Sequence, residues 1–134
     1  LSIAEIRAGL AANIATISGL RVADTIPDNP SPPVAIIALN NISYDLDFNR
    51  GMTLYNFTVT LVVGRVAERD AQRKLDAYAG NGERSIKTAV QSDRQLGGSA
   101  FDVRLSEMST LGALNLGEQQ TYLAADFAVQ VYAE

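Results

Sequence analysis

Residues 53–63 read Thr-Leu-Tyr-Asn-Phe-Thr-Val-Thr-Leu-Val-Val, and this stretch decides the fold. Thr53, Tyr55, Phe57, Val59, Leu61 and Val63 take every second position, with Leu54, Asn56, Thr58, Thr60 and Val62 between them. Period two is the strand period, and β-branched and aromatic side chains are the types that fill a pleated surface. At about 3.3 Å per residue such a strand runs roughly 36 Å, well beyond the usual five or six residues. Neither face carries a charge. The stretch Thr121–Ala133 repeats the build: Leu123, Ala125, Phe127, Val129 and Val131 alternate with Tyr122, Ala124, Asp126, Ala128, Gln130 and Tyr132.

Working outward, Ile42, Tyr44, Leu46 and Phe48 alternate with Ser43, Asp45 and Asp47, and Asn49-Arg50-Gly51 supplies a turn. Residues 42–63 are therefore expected to form a long β-hairpin. Val34 to Leu39 is apolar on both faces and reads as a buried strand, and Leu20 to Ala23 as a short one. Between them, residues 24–33 hold all four prolines, whose fixed φ and missing N–H predict a stiff, extended arm. At the start, Ser2-Ile3-Ala4-Glu5 has the form of a capping box. Ile3, Ile6, Leu10, Ile14 and Ile17 follow at spacings of three and four, which predicts a helix from about Ile3 to Ser18, stopped by Gly19. A chain beginning at Leu1 suggests a missing initiator Met or a few missing residues.

Two helical patterns separate the long strands. Ala67, Ala71, Leu75 and Tyr78 form a narrow apolar stripe, with Glu68 and Asp70 early and Arg73 and Lys74 later, as the helix dipole favours. Gly80-Asn81-Gly82 ends that helix. Ser85 can cap a second, with Ile86, Ala89 and Val90 inward and Gly97-Gly98 as its stop. Phe101, Val103 and Leu105 then mark a half-exposed strand, and 111–120 reads as a glycine-containing loop. The expected order is αββββααββ in one domain spanning 1–134: an α+β fold, a mostly antiparallel sheet with helices on one face.

Composition excludes several functions. The 134 residues include 15 acidic and 11 basic side chains and no Cys, His or Trp. Disulfides, thiol nucleophiles, zinc thiolates and histidine-based triads are all out. A net charge of −4 gives no cationic excess to hold a phosphate backbone, and no apolar run is long enough to span a membrane as a helix. The expectation is a soluble, intracellular or particle-associated domain that is not an enzyme and holds no cofactor or metal.

The remaining polar groupings have bland readings. Asp45 and Asp47 share a strand face and could hold a divalent cation, but no further oxygen ligands follow, so a solvated face is preferred. Residues 80–85 look like a phosphate loop without the Gly-Lys-Ser/Thr ending. Ser85 with Lys87 or Lys74 lacks the Ser-x-x-Lys spacing. Arg69, Asp70, Arg73, Lys74 and Asp76 alternate in sign as on a solvated helix face. Tyr44, Phe48, Tyr55 and Phe57 could stack on bases, but Asp45 and Asp47 beside them repel phosphates.

The informative feature is the second face of the two long strands. Asn56, Thr58, Thr60, Ala124, Ala128, Gln130 and Tyr132 lie there, with Asp126 as the one charge. A sheet face left in water normally carries Lys, Glu or Arg, so this one is expected to be covered, by a partner copy, by a closed ring or by the chain's own loops.

The order of elements, with LYNFTVTLVVGRVAERDAQRKLDAYAGNGERSIKTAVQSD, GGSAFDVRLSE and the closing YLAADFAVQVYA, resembles the tail terminator proteins of long-tailed bacteriophages, especially those infecting actinobacteria. DTIPDNPSPPVAIIAL is similar to that family's proline-rich lead into its first core strand. The resemblance covers nearly the whole chain. It implies a structural virion protein of the neck, assembled in the host cytoplasm as a hexameric ring that caps the head-proximal end of the tail tube. It further implies tail tube protein and a head connector or stopper as partners, with DNA only in transit. Asn56, Thr58, Thr60, Ala128 and Gln130 are then the expected ring contacts, and Asp45 and Asp47 the expected lumen or docking-surface carboxylates. The alternatives are another neck component, such as a stopper or tail-completion protein, or a small ligand-binding or hydrolase domain.

Overall fold

The alternation at 53–63 becomes the centre of a five-stranded sheet in a computed structural model, which describes residues 3–17, 19–23, 33–44, 52–65, 71–80, 82, 85–98, 100–115 and 121–133. The elements are α1 (Ile3–Ile14), β1 (Arg21–Ala23), β2 (Val34–Ser43), β3 (Thr53–Arg65), α2 (Ala71–Ala79), α3 (Ile86–Val90), a 3-10 turn at Leu96–Gly98, β4 (Asp102–Asn115) and β5 (Thr121–Ala133). The strands lie in the order β1-β2-β3-β5-β4. Only β1 and β2 run parallel, and every other pair is antiparallel. The fold is α+β with a mixed, mostly antiparallel sheet.

One face of the sheet carries the main core. Ala35, Ile37, Tyr55, Phe57, Val59, Leu61, Val63, Ala125, Phe127, Val129 and Val131 are buried there in one cluster with Ile6, Leu10 and Ile14 of α1, Leu75 and Tyr78 of α2, and Ile86, Ala89 and Val90 of α3. All three helices thus cover the same face. The burial follows the sequence alternation, because a strand presents successive side chains to opposite sides.

Four boundaries differ from the sequence reading. The α-helix ends at Ile14 rather than Ser18, because Thr16 N–H and Ile17 N–H turn back to the carbonyls of Asn13 and Ile14, three residues earlier. Such tightening is a common way for a helix to end. Ile17 stays buried, so the apolar stripe outlasts the helix. Residues 42–43 continue β2 instead of opening a new strand. Asn40 is an extra residue relative to β3, and this bulge lets Leu39 and Ile42, three apart, pair with the core-facing Phe57 and Tyr55. Beyond Ser85, the second helix stops at Val90, well before Gly97. Finally, β4 runs to Asn115, where a loop is expected from Leu111. It carries extra residues at Ser106 and Leu111 and pairs with β5 along its whole length. Bulges scramble the period that the sequence reading follows, and the long partner strand supplies the ladder that local composition disfavours.

The capping-box Ser2, the proline-rich arm at 24–32, the hairpin tip with Asp45, Asp47 and Phe48, and Ala67, Glu68, Arg69 and Asp70 lie outside the described residues. Gly19 has the left-handed φ of +84°, but it stands five residues beyond Ile14, next to the bond from Leu20 N–H to Ile17 O, and is not the stop of α1 that the sequence reading makes it.

Candidate interaction surface

The helix-free face of the sheet divides into two halves. At one end Val34, Ile36, Val62, Tyr122 and Ala124 form a second, smaller buried cluster with Ala23 against it. At the other end Asn56, Thr58, Ala128, Gln130 and Tyr132 are half-buried, and Ala38, Asn40, Asn41, Arg104 and Glu107 are exposed around them. The structure therefore places Asn56, Thr58, Ala128 and Gln130 together. Thr58 pairs with Ala128 and Asn56 with Gln130, while Thr60, opposite Asp126, sits at the boundary between the halves.

Side-chain hydrogen bonds tie this surface across the strands. Asn56 Nδ2 donates to Asn41 Oδ1 at 2.7 Å, and Asn40 Nδ2 donates to the Thr58 hydroxyl. Thr60 Oγ1 donates to Asp126 Oδ1 at 2.7 Å, so the one carboxylate of the two central strands faces a hydroxyl donor. The result is an amide and hydroxyl surface on β2, β3 and β5, with Arg104 and Glu107 beside it on the outer strand β4. Large apolar side chains are exposed at the sheet's margin: Tyr44 at 70%, Phe101 at 51% and Met108 at 38%.

The sheet edges are β1 and β4. The start of β4 is guarded by side chains: Val103 N–H donates to Asp102 Oδ1 at 2.9 Å, and Leu105 N–H to Gln91 Oε1 at 3.1 Å. Arg94 grips Asp102 from the helix-side loop, with Nε at 2.7 Å from Oδ1 and Nη2 at 3.1 Å from Oδ2. The hydrogen bond from Arg94 is the largest cause holding the Asp102 carboxyl below its ordinary pKa, and the same pairing raises that of Arg94. On the opposite edge β1 pairs with only Val34, Ala35 and Ile36 of β2. Arg7 Nη1 donates to the next carbonyl out, Ile37 O, at 3.1 Å, with its guanidinium 6.0 Å from the Phe57 ring centre.

The other polar groupings resolve into structural parts. Ser85 is fully buried, and its hydroxyl donates to Gly82 O at 2.9 Å and accepts from Thr88 N–H at 3.1 Å, as a helix cap does. Lys74 and Lys87 are exposed, and the hydrogen bonds of the Ser85 hydroxyl go to Gly82 and Thr88 instead. Arg73, Lys74 and Asp76 face water, with Gln72 Nε2 donating to Asp76 Oδ1 at 2.9 Å. Tyr55 and Phe57 belong to the core rather than to a stacking platform. An open depression of about 330 Å³ has Pro33, Lys74, Ala77 and Tyr78 as its lining among the described residues.

Sequence reasoning missed Asn13, Arg7 and Gln91. Asn13 is buried, and its Nδ2 donates to Val90 O and Asp93 O, each at 2.9 Å, tying α1 to the end of α3. A polar residue between Leu10 and Ile14 on an inward stripe was the available signal. Arg7 and Gln91 act across long sequence separations and leave no local pattern. No protein-family model matches the chain, and no curated protein is found similar to it.

Proposed function

We propose that this chain is a structural subunit that closes into a ring, six copies in the reading carried by its sequence resemblance, at the head-proximal end of a phage tail tube. There it ends tube polymerisation and presents a surface to the head connector or stopper. The observation that carries the reading is the amide and hydroxyl face on β2, β3 and β5. It lies on the side opposite the three described helices, and its one carboxylate on the central strands, Asp126, is bonded to Thr60. Depletion of charge at the centre of a surface is the compositional mark of a protein interface. In this reading Asn56, Thr58, Thr60, Ala128 and Gln130 make ring contacts, and Asp45 and Asp47 line the channel or the docking surface.

The electrostatics support the same role. Six copies at −4 each carry −24, so DNA in transit is repelled rather than held. The work of such a part is geometric and calls on no catalytic group, cofactor or metal.

The test is the mass of the purified chain by light scattering, alone and with tail tube protein, with electron microscopy of assembled tails. A ring at the tube end is expected. Thr58→Lys with Thr60→Lys should abolish closure while leaving the circular-dichroism spectrum unchanged. A chain that stays monomeric with tube protein, or a double-lysine variant that assembles normally, overturns the assignment of this face.

A further inference from the structure

We infer that Gln91 and Asp102 form a built-in block that keeps the first half of β4 from pairing with β4 of a second copy. Among the described residues β4 is the last strand on its side of the sheet. The outermost strand of a sheet offers its backbone groups to any strand that meets it, and a second copy always carries a matching one. Arg104, Ser106 and Glu107 are exposed, so bulk does not shield this stretch. Alternate residues of an antiparallel strand turn their N–H groups toward the ladder partner and away from it. Val103 and Leu105 send theirs to side chains rather than to β5, which makes them the outward pair ahead of the bulge at Ser106. Both are taken, Val103 N–H by Asp102 Oδ1 at 2.9 Å and Leu105 N–H by Gln91 Oε1 at 3.1 Å.

The two acceptors are held by a braced strap. Gln91 closes the end of α3, its own N–H bonded to Lys87 O at 3.1 Å. Asn13 Nδ2 holds the carbonyls of Val90 and Asp93, on either side of Gln91. The Asp93 carboxylate accepts from Gln95 N–H at 3.2 Å and Gly97 N–H at 2.8 Å, which fixes the loop from which Arg94 clamps both oxygens of Asp102. Gln91 and Arg94 are three residues apart, as are the Asp102 and Leu105 that they reach, and they reach them in reverse order. The strap therefore runs antiparallel along the strand and meets it with side chains in place of backbone. It consumes the outward donors and presents no new ladder of its own.

Without the two acceptors, β4 could pair with its own copy across a two-fold axis, Val103 of each chain bonded to Leu105 of the other and Arg104 opposite Arg104. Like charges directly opposite destabilise such a pair, so Arg104 adds to the block. Association is left to other surfaces, and the device works whether or not the copies form a ring.

The chain has no cysteine, so one thiol at the centre of that junction reports it. Arg104→Cys supplies the thiol and removes the opposed charges, which isolates the two acceptors. Purified without tube protein and treated with a short bismaleimide, this variant should run as a monomer on a denaturing gel. Adding Gln91→Leu and Asp102→Ala should raise the covalent dimer several-fold, and more so at higher protein concentration. Gln91→Leu alone keeps the Arg94–Asp102 pair and should give an intermediate yield, which decides the matter even where the fuller variant fails to fold. Gln91→Glu retains an acceptor and should leave the yield unchanged. A yield that Gln91→Leu does not raise, or that Gln91→Glu raises equally, overturns the block. An equal rise with the thiol moved to Lys74→Cys, exposed on α2, also overturns it, because the dimers would then come from a loosened fold.

Discussion

Gly9 on α1 offers a prediction whose sign is set by one contact. Replacing Gly by Ala inside a helix ordinarily stabilises it by about 1 kcal/mol. Here a Cβ built at Gly9 would lie 2.7 Å from Leu96 Cβ and 3.3 Å from Leu96 O, about 1 Å inside normal carbon–carbon contact. Leu96 cannot swing away, since the clashing atom is its Cβ, its side chain is 4% exposed, and its backbone sits at φ +50° before Gly97 and Gly98, both at positive φ. Overpacking of this kind costs about 1–3 kcal/mol, and with a carbon this close the upper half of that range applies. Gly9→Ala should therefore lose about 1–2 kcal/mol net, a fall in Tm of roughly 4–8 °C for a domain of this size. The assay is urea and thermal unfolding of a double-mutant cycle. Leu96→Ala retains the Cβ, so Gly9→Ala should cost as much in that background. Leu96→Gly removes the Cβ and suits the left-handed backbone, so there Gly9→Ala should turn neutral or stabilising. A Gly9→Ala variant that unfolds at higher temperature than the parent, or an equal cost in both backgrounds, refutes the contact as the cause.

Three more outcomes follow from the same coordinates. Asn13→Ala leaves the Val90 carbonyl at the end of α3 without its side-chain donor, while Asp93 O keeps Leu96 N–H, so it should cost about 1–2 kcal/mol in urea unfolding, with Asn13→Asp at least as damaging at neutral pH. Ser85→Ala should lose about 1 kcal/mol by the same measurement, because Thr88 N–H loses its cap. The Arg94–Asp102 pair is about half exposed, so Asp102→Asn should cost under about 1 kcal/mol. Since folding lowers the Asp102 pKa, that contribution is complete above its unfolded value and fades as pH falls through the folded one. The difference between parent and Asp102→Asn should accordingly shrink on acidification; a difference that grows would show the pairing is not its source.

The strands at 53–62 and 121–133 are legible because each alternates without an extra residue of its own and each lies between two partners; the bulge of β3 at Val63 falls only at the end of its stretch. Legibility fails where a single residue resets the phase. Asn40 makes one strand look like two, and Ser106 and Leu111 make the second half of β4 look like a loop. The helix-free face is legible as charge-poor, but Val62, Tyr122 and Ala124 on it prove to be buried within the chain itself, which narrows the candidate surface to the end around Asn56 and Gln130. The edge guards Arg7 and Gln91 are invisible in sequence because each depends on a backbone group 30 or 14 residues away.

The bulges have a collective geometry. Those of β2 at Asn40 and β4 at Ser106 fall within about one rung of Val129, and those of β3 at Val63 and β4 at Leu111 fall within about one rung of Ala124. Among the four long strands β5 is the one with no extra residue, so it acts as a straight spine crossed by two creases. Each crease concentrates bending and twist along a line across the sheet, leaving flatter panels on either side. A surface folded at fixed creases keeps its curvature under load, because changing it would require re-registering whole strands rather than rotating a few side chains.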